Sequence, residues 1–75
     1  MENKLKELIV DYVEVNIEDI TSESRFMEDL GFTSFDFMSM LGEIEDEFDV
    51  EVNEQDIAEI HTVGEAAAYL ERLAA

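Results

Sequence analysis

Apolar residues recur along this chain at the spacing of one helix face, in three separate stretches, and that spacing limits the fold more than any other feature. Leu5, Leu8, Ile9, Tyr12 and Val13 follow an i, i+3, i+4, i+7, i+8 pattern, which predicts an amphipathic helix over about residues 3–15. Phe37, Leu41, Ile44 and Phe48 share one arc of a second helix over about residues 35–49, with Asp36, Ser39, Glu43, Asp46 and Glu47 opposite and Phe35, Met38 and Gly42 on a flank. Its N-cap is Thr33 or Ser34, and Thr33 followed by Asp36 makes a capping box with Asp in place of the usual Glu. Val63, Ala66, Ala67, Leu70 and Leu73 form the stripe of a last helix, opened by a second box of Thr62 and Glu65. Asn53 caps a brief helix over about residues 54–59, after an extended run of Val50, Glu51 and Val52. With no proline and only three glycines, the chain is expected to be all-α: a small bundle of three main helices plus one short helix. A long connection, residues 16–33, joins helices one and two. Ile17, Ile20, Phe26, Met27 and Leu30 are expected to pin it to the core, with a short helical turn near its middle.

At 75 residues the chain makes one domain with a small core. It has no cysteine and a single histidine, His61, so a disulfide framework, a Cys-based metal site and a His-rich zinc site are all excluded. His61 precedes the last helix, where it can cover Ala66 as a weak staple. The longest apolar runs, such as Leu8-Ile9-Val10 between Glu7 and Asp11, are too short to span a membrane, and no basic segment precedes them as a signal peptide requires. Twenty-one acids against four bases give a net charge of −17. Such a surface repels nucleic-acid phosphates and anionic lipid and attracts basic protein patches. Acidic chains are often disordered, but 47% hydrophobic content, periodically arranged, argues for a folded domain. These features read as a soluble, cytoplasmic, monomeric protein.

The stretch Asp29-Leu30-Gly31-Phe32-Thr33-Ser34-Phe35-Asp36 sets one serine just after a glycine turn and at the start of an amphipathic run. By position alone Ser34 is an ordinary helix-start residue, as most such serines are. The same position suits an attached phosphate, because unpaired N–H groups and the helix dipole favour an anion there. A hydrolytic role fits poorly: the spacing is not that of a nucleophile elbow, and only one histidine is present as a base. The segment resembles the Asp-Leu-Gly-x-Asp-Ser-Leu motif of acyl carrier proteins. Thr33 stands where that family usually has Asp, and Phe35 where it has Leu. The resemblance continues through Glu45-Asp46-Glu47-Phe48-Asp49-Val50-Glu51-Val52 to Thr62-Val63, and covers roughly residues 5–73 without a gap.

The resemblance implies that Ser34 carries 4′-phosphopantetheine, transferred from coenzyme A by a phosphopantetheinyl transferase, with the thiol of the arm holding an acyl group. It implies no catalysis by the chain itself. It further implies that the second helix docks on basic patches of acyl-handling enzymes: Asp36, Glu45 and Asp46 match acidic positions of that kind, with Phe35 and Met38 on the flank beside Ser34. Ser39 departs, since the family commonly has Glu there. The acids crowd the C-terminal half of that helix, where the dipole favours cations, and Glu43 repels Glu47 at i, i+4. Phe37, Leu41, Ile44 and Phe48 are expected to line a pocket that shelters the acyl chain, and an aromatic at Phe37 is expected to fill part of it. The carboxylates around residues 46–56 lack the glycine and terminal Glu of an EF-hand loop, so no metal site is expected. General fatty-acid synthesis, a specialised polyketide, peptide or aminoacyl pathway, and an unmodified acidic adaptor all remain open at this level.

Overall fold

A computed structural model describes residues 2–74. The elements in chain order are α1 (Glu2–Ile9), a 3₁₀ turn (Ile17–Asp19), α2 (Ser34–Phe48), α3 (Glu54–Ile57) and α4 (Val63–Ala74). Among the described residues there is no strand, only one isolated antiparallel bridge between Arg25 and Thr62. The architecture is the expected all-α bundle of three main helices and one short one. No described helix is long and apolar enough to cross a membrane.

α1 stops earlier than the apolar spacing suggested. Beyond Ile9 the backbone tightens into mixed turns, with Asp11 N–H donating to Leu8 O and Tyr12 N–H to Ile9 O. Val10, Val13 and Val15 follow in close order, and their β-branched side chains lose rotamer freedom in a helix. Tyr12 and Val13 still pack against the core from this non-helical segment. α1 contributes the fully buried Leu5 and Ile9 and packs against α4, which buries Val63, Ala66, Ala67, Tyr69 and Leu70. Leu73, expected on the same stripe, is exposed near the end of α4.

α2 is the longest element, and its buried residues are Phe37, Met40, Leu41 and Ile44. Met40 lies at the edge of the expected arc and is fully buried, whereas Phe48 at the far end is only partly so. The helix ends on Asp49, whose φ of 54° puts a non-glycine residue in the left-handed region. The run 50–52 that follows is irregular, without strand pairing.

The connection 16–33 is ordered by burial. Ile20, Phe26, Leu30 and Phe32 sit in the core, while Ile17 and Met27, both expected inward, are largely exposed. The helical turn lies at the start of the connection, not its middle. The connection is zipped to the start of α4 through backbone groups: Phe26 N–H donates to His61 O (3.1 Å), Val63 N–H to Ser24 O (3.0 Å) and Gly64 N–H to Ser22 O (2.8 Å). The approach is so close that a Cβ on Gly64 would lie 2.9 Å from the Ser22 carbonyl oxygen. The Thr62–Glu65 box forms as read, and His61 N–H also donates to the Glu65 carboxylate (2.9 Å). The His61 ring is exposed and turned toward the Glu59 carbonyl and the Glu65 carboxylate, and is not a cover for Ala66.

Candidate functional site

The chain reaches Ser34 through a tightly wound segment. The Arg25 carbonyl accepts from Asp29 N–H (2.9 Å) and Leu30 N–H (3.0 Å), and Phe32 N–H returns to Phe26 O (2.9 Å). The Asp29 carboxylate closes the turn by accepting from Arg25 N–H (2.9 Å). Gly31 has φ +77°, and a Cβ there would meet nothing within 4 Å. Glycine is therefore needed for the backbone angle and not for space. Buried Phe32 then anchors the chain immediately before α2.

Thr33 is the N-cap, in extended conformation. Its hydroxyl accepts from Asp36 N–H (3.1 Å), and Asp36 Oδ2 faces Thr33 N–H at 3.5 Å. The expected capping box is present, and it settles the choice of cap on Thr33. Ser34 becomes the first helical residue. Its side chain is exposed and makes no hydrogen bond among the described residues. The N–H groups of Ser34 and Phe35 likewise have no acceptor among them, as expected in the first turn of a helix. An exposed hydroxyl thus stands beside two free donors at the positive end of a 15-residue helix.

Phe35 is 79% exposed and Met38 51% exposed, so two large apolar side chains flank Ser34 on the surface. Phe37, on the same turn, points inward. Asp46 is exposed without an ion pair or side-chain hydrogen bond among the described residues, but it lies twelve residues from Ser34, about 18 Å along the helix. Other acids of α2 have structural partners. Glu45 Oε2 accepts from Val52 N–H (3.1 Å), Glu47 lies 3.8 Å from Lys4 Nζ, and Glu43 Oε2 accepts from the Tyr12 hydroxyl (3.0 Å). Partial burial, and then the Glu43 bond, raise the Tyr12 phenol above its ordinary value.

A small cavity of about 100 Å³ opens among Arg25, Phe26, Met27, Glu28, Phe37, Ile60 and His61. Phe37 lines it. Leu41, Ile44 and Phe48 are not among its walls: Leu41 and Ile44 are buried in the core, and Phe48 packs against it. Phe26, Met27 and Ile60 complete its apolar lining. No local signal marks them, because three segments distant in sequence converge there. Among the described residues no group of three or more His, Cys, Asp or Glu is arranged to hold a metal ion.

A family model for the phosphopantetheine attachment site matches residues 3–70. The chain belongs to the acyl carrier protein family. It is similar to the solved structure of the acyl carrier protein from Enterococcus faecalis, with 28% sequence identity and a TM-score of 0.84, over 96% of this chain and 91% of that chain. The family is one of carriers and not of catalysts, and its cofactor is 4′-phosphopantetheine. The residues at the start of α2 fit that group: a hydroxyl with no internal hydrogen bond and two N–H donors without acceptors match a phosphodiester in both charge and valence.

Proposed function

We propose that the chain is a free-standing carrier, one domain over residues 1–75, that bears 4′-phosphopantetheine on Ser34 and serves fatty-acid or related biosynthesis. The observation that carries this reading is the Ser34 hydroxyl, exposed at the start of α2 and free of capping duty because Thr33 performs it. When bound, the arm supplies a terminal thiol that holds an acyl group as a thioester. The chain's own residues hold the attachment point and offer the surface around it. The free N–H groups of Ser34 and Phe35 favour the phosphodiester charge. Phe35 and Met38 offer apolar contact beside it, and Asp46 offers an unpaired carboxylate to a basic partner. Asp36 and Glu45 each engage one carboxylate oxygen internally, which leaves the other for docking. Such charges chiefly tune encounter rate and register. The partners are then a phosphopantetheinyl transferase and acyl-handling enzymes with basic patches. A charge of −17 disfavours self-association and nucleic-acid binding, and the lack of cysteine is compatible with the cytoplasm; both support a cytoplasmic monomer.

The small cavity beside Phe37 favours a second reading, in which the carrier handles short or polar cargo in polyketide, peptide or aminoacyl chemistry. One experiment tests the common core of both readings. Incubation with coenzyme A and a broad-specificity transferase should add the mass of one arm to the wild type and none to Ser34→Ala. An equal mass gain in the mutant would overturn the assignment. Followed over time at low salt, the same assay should show slower modification of Asp46→Lys with helicity unchanged.

A further inference from the structure

We infer that Phe37 limits the acyl chain this carrier can shelter to about four carbon atoms, with longer chains left outside the bundle. The inference rests on the carrier reading and deepens it by naming the cargo class. From Ser34, Phe37 is three residues on, about 4.5 Å along the helix axis, and it is buried. That ring is braced from behind. It packs on Phe26 with centroids 5.1 Å apart and planes at 53°, and Phe26 meets Phe32 edge-on at 5.6 Å and 86°. Phe32 in turn lies 6.1 Å from Tyr12. Phe26 and Phe32 are themselves buried, so Phe37 cannot swing deeper without displacing close-packed rings.

The space left is the cavity of about 100 Å³ between Phe37 and Ile60. A cavity of about 150 Å³ holds benzene, which has six carbons, so one of this size takes about four. The two sides of the cavity differ in how deeply they are buried. Ile60 follows α3, which contains no fully buried residue, whereas Phe37 stands on a core helix. Phe37 is therefore the wall that sets the depth.

The test loads the wild type on Ser34 with arms bearing acyl chains of two, four, six, eight and ten carbons, each confirmed by intact mass, and compares melting temperatures with the arm-only protein. Stabilisation should rise from two to four carbons and then level off. Phe37→Leu removes three carbons net and should still gain at six. Phe37→Ala removes the whole ring and should gain to eight or beyond; if it does not fold, the wild-type series and Phe37→Leu decide. A wild-type gain that climbs through eight carbons overturns the size limit, as does a Phe37→Leu profile identical to wild type. Absence of any mass gain on Ser34 would instead overturn the carrier reading itself, and the two failures are read from separate measurements.

Discussion

Two connections close this bundle, and the one without an α-helix is the better anchored. Residues 16–33 place Ile20, Phe26, Leu30 and Phe32 in the core and bond through their backbone to the start of α4. Residues 49–62 contain α3 but no fully buried side chain: Val50, Val52, Ile57 and Ile60 are only partly covered. Two side chains tie this second segment down. Glu45 accepts from Val52 N–H, while the Tyr69 hydroxyl accepts from Asn53 N–H (3.1 Å) and donates to Asp56 (2.8 Å). In so small a domain, order follows buried apolar area more closely than it follows helix content.

The contrast is broken most directly by truncating one anchor in each segment. Phe26→Ala should cost about 3–5 kcal/mol and Ile57→Ala about 1 kcal/mol in denaturant melts, because only the first opens a cavity in closed packing. Similar costs would mean that the second segment is held as firmly as the first. A smaller effect sharpens the picture locally. Tyr69→Phe keeps the ring but removes both hydroxyl bonds, for about 1 kcal/mol. Amide exchange should accelerate over residues 52–57 and stay unchanged over residues 22–32; uniform acceleration would refute a local tie.

The smallest effect is a pH dependence where the two connections meet. The N–H groups of His61 and Thr62, in that order, hold the Glu65 carboxyl below its ordinary value. A carboxyl depressed in the folded state stabilises above its unfolded pKa of about 4.3, and that contribution fades as pH falls through the lower folded value. The stability difference between wild type and Glu65→Gln in urea melts should therefore shrink below about pH 4.3. A difference constant from pH 6 to pH 3 would show that the charge of Glu65 adds nothing.

The helix starts were legible in sequence because caps are local. Thr33 with Asp36, Asn53, and Thr62 with Glu65 each act within three residues, and all three form. Helix ends were less so: the apolar spacing of Tyr12 and Val13 persists in the turns after α1, so pattern alone could not locate its end. Inside the connection 16–33 there is no period to read. Ile17 and Met27 turn outward, and Phe32, read from the sequence as part of the surroundings of Ser34, turns inward. The place of Ser34 at the start of α2 could be read from its own neighbourhood. The cavity walls Phe26, Met27 and Ile60 could not, since only the folded chain brings them to Phe37.

Thr33 and Ser34 are adjacent hydroxyl residues, and only the first is spent on the helix. Two neighbouring side chains of similar chemistry thus divide their labour, so that occupancy of one leaves the other's bond intact. In terms of linkage, a group attached at Ser34 would forfeit no bond of the folded chain, while the N–H groups beside it are aligned only in the folded helix, so an anion held there would favour the folded state and add to its stability.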